Sequence, residues 1–509
     1  MRDRGLGSWL RRRARAAPSA PALVFGDRTW SNTELATDTA AVSAWLKLHG
    51  VRSGDRVAYM GANHPDFLRT ALATVALGAV FVPLDPRRSG EQLRFILDDA
   101  GCGWLIHGPE SAGIVRDLRD RTAVGQVLLS DAIPSAERPI ADAPPAAIDL
   151  PVDMDDLCFL FYTSGTTGPP KGAMLTHGNL TWNVVNFLSV SDFRPDDVTL
   201  ALAPLHRAGG WGVTLLPTLF VGGSVVLAPD RDPDRCLRLI DAHRVTTLFG
   251  GPDLLAALAA ADTWGTADLS SLRLVISGGD TVPEPLIRRY ADRGLLLLQG
   301  YGLSEAGPMA LMLDAGDAVR KLGSAGLPPL LTDAQVLRDD GTEAASCESG
   351  ELVVRGPNVM RGYWNRPAET EDALRGGWLH TGDAAYRDDE GFFYIVGRLG
   401  DAYVSAGTRV YPGEVEKVLV DHPAVREAGV VGVPDERLGT AGAAFVVLES
   451  GMSAQPRGLL DFCATRLPGD KVPVWLRFRE SLPRNPAGKL LRAELREELR
   501  TGPQADDPD

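Results

Sequence analysis

Residues Thr163 to Gly172 read Thr-Ser-Gly-Thr-Thr-Gly-Pro-Pro-Lys-Gly, which gathers hydroxyls, glycines and one ammonium into a single loop. Glycines such as Gly165 free the backbone to curl around an anion. Thr163, Ser164, Thr166, Thr167 and Lys171 supply donors and positive charge, so the chemistry is that of a polyphosphate cradle. A Walker A loop would place Ser or Thr directly after its lysine and then open a helix. Here Lys171 is followed by Gly172, Ala173, Met174 and Leu175, and the P-loop kinase or NTPase reading fails. An ordinary Ser/Thr/Gly turn is the plainer alternative, but the string is too ordered for one.

Further along stand Ala203-Pro-Leu-His206, Gln299-Gly-Tyr-Gly-Leu-Ser-Glu305, Trp378-Leu-His-Thr-Gly-Asp383, Gly397-Arg398 with Asp401, and Leu482-Pro-Arg-Asn-Pro-Ala-Gly-Lys489. The chain strongly prefers arginine: its lysines are Lys47, Lys171, Lys321, Lys417, Lys471 and Lys489. A lysine in such a chain marks a need for a compact ammonium in place of a planar fork. Taken singly, Asp383 or Arg398 would read as solvated, Tyr301 as core and His206 as a structural histidine. His177 is read as structural and His380 as peripheral. Gly278 and Gly279 close a strand, where either a turn or a close approach to a ring would explain them.

These residues need a scaffold, and the pattern supplies one. Apolar runs of strand length alternate with helical patterns: Arg56 to Met60, His64 to Ala76, then Val80 to Leu84, and later Arg273 to Ser277, Pro283 to Asp292 and Leu295 to Gln299. This predicts an α/β protein with mainly parallel sheets and helices on their faces, with ligands at the loops after the strands. With 509 residues, two or more domains are expected. A Pro- and Ala-rich stretch between Ile133 and Pro151 reads as an exposed connection between lobes, and residues 501–509 as a disordered tail.

The net charge of −14 argues against a nucleic-acid partner, which needs an excess of basic side chains. Cys102, Cys158, Cys236, Cys347 and Cys463 lack Cys-x-x-Cys spacing, which suggests neither a disulfide framework nor a zinc site and fits the cytoplasm. Met1 to Ala17 is arginine-rich without the apolar stretch of a secretory signal, and a solvated helix face is its commoner meaning. The apolar stretch from about Val213 to Leu227 is broken by Pro217, Gly222 and Gly223 and is too short for an integral membrane segment.

In their order, the motifs resemble the adenylate-forming superfamily of acyl-CoA synthetases, peptide-synthetase adenylation domains and luciferases. The resemblance runs from about Phe25 to Arg496. Gln299 to Glu305, Gly362-Tyr-Trp-Asn-Arg-Pro367 and the closing lysine motif look most like bacterial fatty-acyl-CoA synthetases. The resemblance implies a large multi-lobed domain, 1–399, that binds acyl group and ATP, and a small mobile α+β catalytic domain, 400–500. It also implies a two-step reaction: ATP converts a carboxylate to an acyl-adenylate with loss of pyrophosphate, and a thiol then displaces AMP.

By the same resemblance, Glu305 contacts Mg²⁺ and Lys489 bridges carboxylate and α-phosphate. Asp383 receives the ribose hydroxyls, Arg398 lies near ribose and phosphate, Tyr301 stacks on adenine and Ser304 reaches the α-phosphate, with Gly278 beside the nucleotide. His206 resembles the pocket-gating aromatic. Gly400 stands at the pivot between two catalytic orientations, where relatives usually carry Asp or Lys. Gly407 leaves room for pantetheine, Arg409 meets a CoA phosphate, and Ala406 replaces a frequent glycine. The acid pocket is expected to be lined by His206 to Trp211, Phe249 to Pro252 and Gln299 to Gly302, with Gly250, Gly251 and Gly300 leaving it open for a long or bulky acid. Arg207 and Asp280 hint at a polar group on that acid. The partners implied are a carboxylic acid, ATP and CoA. An acyl carrier protein as acceptor, and a pathway ligase performing one half-reaction, are the alternatives.

Overall fold

The computed structural model describes residues 4–135, 151–163, 168–484 and 490–501. Two sheets of mainly parallel strands dominate the larger part. In the first, the order is Gln126–Leu129, Trp104–His107, Arg56–Met60, Val80–Leu84, Leu157–Thr163 and Lys171–Thr176, parallel up to the last pair, which is an antiparallel hairpin. The second runs Met309–Met312, Leu297–Gly302, Leu274–Ser277, Thr247–Gly250, Val198–Ala201, Ser224–Leu227, Pro21–Phe25 and Arg28–Ser31, parallel except at its two edges. Every residue of Val80–Leu84 and of Leu274–Ser277 is buried, as expected of parallel strands covered on both faces.

The helices between them start where the sequence supplies caps. Ser31 and Glu34 form a reciprocal capping box at Asn32–Leu48, and Thr176 and Asn179 form another at His177–Val190. Pro65 opens Pro65–Ala76, with His64 as its cap. The apolar run after Val213 resolves into helix Leu215–Val221, a left-handed Gly222 and strand Ser224–Leu227. Among the described residues no helix is long and apolar enough to cross a membrane. The arginine-rich start forms Ser8–Ala16, where Leu10 is buried and Trp9 meets Phe220 edge to face.

An antiparallel sheet of Asp333–Leu337, Gly350–Arg355, Leu379–Arg387 and Phe393–Arg398 follows. The smaller C-terminal part holds a hairpin, Tyr403–Ser405 with Thr408–Val410, and a sheet of Val425–Asp435, Gly439–Leu448 and Trp475–Phe478. Helices Pro412–Val420 and Pro456–Ala464 flank that sheet, and Val415, Leu419, Val430, Leu459 and Cys463 share one core. Most of the connection read between Ile133 and Pro151 lies outside the described residues, as does the tail beyond Thr501, which ends helix Arg492–Thr501.

Candidate active site

The hydroxyl- and glycine-rich loop sits at the tip of the hairpin that ends the first sheet, and Thr163 and Lys171 are register partners at its base. Lys171 therefore opens a strand, not a helix, in agreement with the exclusion of a Walker A loop. Ser164, Gly165, Thr166 and Thr167 lie outside the described residues. Thr163 Oγ1 donates to Glu305 Oε1 at 3.1 Å, which brings the loop's base to the short helical turn Ser304–Ala306. Tyr363 Oη donates to the same oxygen at 3.0 Å, and the Lys171 ammonium lies 5.1 Å from the centroid of the Tyr363 ring. A hydroxyl, a phenol, a carboxylate and an ammonium from four segments thus converge.

A second cluster forms on Asp383, which is 6% exposed. Asp383 and Arg398 face each other in register on neighbouring strands, and Arg398 Nε lies 2.7 Å from Asp383 Oδ1. Tyr301 Oη donates to Asp383 Oδ2 at 2.5 Å. Burial, and then the Asp383 charge, hold the Tyr301 phenol well above its ordinary pKa, so it remains a donor.

His206 is held by a residue that motif reading missed. Its Nε2 lies 3.2 Å from Asp85 Oδ2, and Asp85 also accepts from Arg87 Nε at 2.9 Å and Arg87 Nη2 at 3.0 Å. Burial alone would raise the Asp85 carboxyl, but hydrogen bonds from His206 and Arg87 outweigh it and keep the group well below the usual carboxylate range. Burial lowers the His206 pKa against the pull of Asp85. Asp85 follows Val80–Leu84 directly, at the carboxyl end of a parallel strand, and that position was the signal available in the sequence.

The residues expected to line the acid pocket pack tightly. Trp211 is fully buried among Phe67, Phe81 and Phe159, and its Nε1 donates to Leu205 O at 2.6 Å. It supports the strand end before His206 from the core and does not line open space. The glycines read as leaving room for the acid have close neighbours, backbone at Gly300 and side-chain ends at Gly250 and Gly251. A Cβ on Gly300 would stand 3.2 Å from Leu311 O, one on Gly250 would stand 3.0 Å from Leu254, and one on Gly251 would stand 2.7 Å from the Asp253 carboxylate. Gly278 would press on Gly300 O at 3.0 Å. These glycines let strands and turns approach closely. The Phe249 ring packs between two further glycines, 3.3 Å from where a Cβ on Gly209 would stand and 3.8 Å from one on Gly278.

Gly400 sits in the short turn Leu399–Asp401 with nothing within 4 Å of an added Cβ. Its neighbour Asp401 lies 3.5 Å from Arg492 and 3.8 Å from Arg496, both on the C-terminal helix. Ala406 and Gly407 form the two-residue turn of the hairpin, with φ of +48° and +85°. Arg409 is engaged by Asp339, Nη1 to Oδ1 at 2.9 Å and Nη2 to Oδ2 at 2.7 Å. Lys489 lies outside the described residues.

His177 is buried, accepts from Leu6 N at 3.0 Å, and has its pKa pushed down by burial to about 4. His380, on the same strand as Asp383, contacts Glu351 of the neighbouring strand at 2.7 Å. Among the described residues no group of three or more His, Cys, Asp or Glu is gathered for a metal. One buried hard carboxylate near a phosphate loop nevertheless suits Mg²⁺, which keeps waters and binds through one or two carboxylates together with substrate phosphates. Glu305, whose Oε2 has no hydrogen bond among the described residues, fits that role.

The sheets, the hairpin loop and the two carboxylate clusters together define a nucleotide-binding enzyme with a separate C-terminal module. The model of the AMP-binding enzyme family matches residues 10–364, and that of the AMP-binding enzyme C-terminal domain matches 414–489. The chain belongs to this family, the adenylate-forming superfamily. It is 46% identical over 496 residues to a feruloyl-CoA synthase of Amycolatopsis, covering 97% of this chain and 99% of the relative. To an indoleacetate–CoA ligase of Aromatoleum aromaticum it is 36% identical, covering 97% and 98%. The solved o-succinylbenzoate CoA synthetase of Bacillus subtilis, in complex with its acyl-adenylate intermediate, superposes with a TM-score of 0.86 at 32% identity over 99% of both chains.

Proposed function

We propose that the chain is an AMP-forming acyl-CoA synthetase acting on a bulky aromatic carboxylic acid. The observation that supports this is the contact of Glu305 with Thr163 at the base of the hairpin, a carboxylate suited to Mg²⁺ next to the start of a segment whose residues suit a polyphosphate. The 46% identity to a feruloyl-CoA synthase supports an aromatic acid over a straight long chain.

In this reading Lys171 and the loop hydroxyls neutralise the phosphates, while Asp383 takes the ribose hydroxyls beside Arg398. Tyr301 orients Asp383, and Ser304 stands by the α-phosphate. Mg²⁺, held by Glu305, would offset charge on the triphosphate. His206, fixed by Asp85, borders the acid's carboxylate, with Phe249 and Arg207 further along the pocket. Lys489 pairs with the carboxylate as it meets the α-phosphate.

The domain boundary falls at Gly400. Rotation there withdraws Lys489 and brings in the hairpin turn, where Gly407 leaves the pantetheine arm its path and Arg409 meets a CoA phosphate. The C-terminal residues beyond Gly400 act on both half-reactions in turn.

Mass spectrometry of products from ferulate, indoleacetate and long-chain fatty acids, with ATP and Mg²⁺ and with CoA, an acyl carrier protein or neither, tests the reading. An aryl-CoA thioester with release of AMP is expected. Thioester formed on an acyl carrier protein and not on CoA, or adenylate alone, would replace it with one of the narrower ligases.

A further inference from the structure

Tyr363 lies in no motif to which the reaction above gives a task. Its backbone is pinned on both sides. Residues Arg361 to Trp364 run beside the edge strand Lys171–Thr176: Met174 N donates to Gly362 O at 2.9 Å, Arg361 N to Met174 O at 3.0 Å, and Trp364 N to Gly172 O at 2.8 Å. Ala173 and Tyr363 form an antiparallel bridge. Tyr363 N donates to Thr370 Oγ1 at 2.9 Å, and Gly362, at φ +144°, leaves no room for a Cβ, which would stand 2.5 Å from Thr370. Trp364 Nε1 donates to Asp99 O at 3.1 Å and Arg366 pairs with Asp99 at 2.7 Å, which holds the following residues as well.

From this fixed backbone the side chain reaches two groups that the first half-reaction needs. The phenol donates to Glu305 Oε1, and the ring face lies under the Lys171 ammonium. Thr163 donates to the same oxygen, so Oε1 carries two donors and Oε2 carries none among the described residues.

Building on the proposed function, we infer that Tyr363 is a positioning residue for the metal-bound nucleotide: it holds one Glu305 oxygen so that the other serves Mg²⁺, and its ring steadies Lys171 at the phosphates. The two tasks separate by substitution. Tyr363→Phe keeps the ring beneath Lys171 and removes only the hydrogen bond, whereas Tyr363→Leu removes both.

The test is ATP affinity measured by calorimetry on the full chain, once with Mg²⁺ and once in EDTA, with unfolding curves to confirm that each variant is folded. In Tyr363→Phe the gain in affinity from Mg²⁺ is expected to fall about tenfold while the EDTA value stays as in wild type. Tyr363→Leu should also weaken binding in EDTA by about threefold. On a Glu305→Gln background, Tyr363→Phe should change nothing further. An unaltered Mg²⁺ gain in folded Tyr363→Phe would overturn the inference while leaving the ligase reading intact. Absence of ATP binding by wild type under both conditions would overturn the ligase reading itself.

Discussion

Arg409 and Asp339 form a two-point ion pair across 70 residues of sequence, linking the small hairpin of the C-terminal part to the turn after strand Asp333–Leu337. Both side chains remain solvated, with Arg409 46% and Asp339 77% exposed, so the pair contributes at most about 1 kcal/mol. A contact this weak holds an orientation without locking it. It also occupies the arginine assigned to a CoA phosphate.

Replacing Asp339 with alanine should therefore release Arg409 for CoA. The KM for CoA is expected to fall up to about fivefold, with thermal stability almost unchanged. An unchanged KM in Asp339→Ala, together with an unchanged KM in Arg409→Ala, would show that Arg409 serves neither purpose.

Lys489→Ala should abolish adenylation and spare the thioesterification of supplied acyl-adenylate. Loss of a charge-assisted contact made in the transition state costs on the order of 3 kcal/mol, roughly a hundredfold in turnover. Acid-dependent pyrophosphate release at the wild-type rate would remove Lys489 from the first step.

Phe249 and Gly300 should respond in opposite ways. Phe249→Ala removes the ring packed against Gly209 and is expected to shift kcat/KM toward larger acids by about fivefold. Gly300→Trp forces a side chain against Leu311 O and should destabilise the fold by about 1–3 kcal/mol before it changes acid preference. A folded Gly300→Trp enzyme with normal stability and a preference for shorter acids would restore the open-pocket reading of that glycine.

His177 gives the fold an acid limit. Its pKa is depressed to about 4 from an ordinary 6.5, because burial disfavours the charged ring and Nδ1 must accept from Leu6 N. The unfolded chain takes up the proton first. Stability from this group is complete above about pH 6.5, declines as pH falls, and levels off below about pH 4 after a loss on the order of 3 kcal/mol. Urea unfolding of wild type and His177→Gln across this window should show the extra slope only in wild type.

Sequence patterns marked the parallel strands well, since Arg56–Met60 and Val80–Leu84 are short apolar runs bounded by turn and helix signals. The polar residues at strand ends were legible for the same reason: Thr163 ends its strand and Tyr301 stands one residue before the end of its own, at the carboxyl ends where such sheets place their sites. Partnerships were not. Asp85 meets His206, and Tyr363 meets Glu305 across 58 residues, through crossovers that no local pattern encodes. The surroundings of the glycines were not legible for a related reason, since a missing side chain looks the same in sequence whether backbone stands close by, as at Gly300, or nothing does, as at Gly407.

Strand Phe393–Arg398 ends on the arginine that grips Asp383, and Gly400 follows two residues later. Asp401, directly after it, is tied instead to Arg492 and Arg496 of the C-terminal helix. Gly400 is thus a single unencumbered joint between two anchored neighbours, the plain-bearing arrangement in which any bending of the chain is confined to one residue.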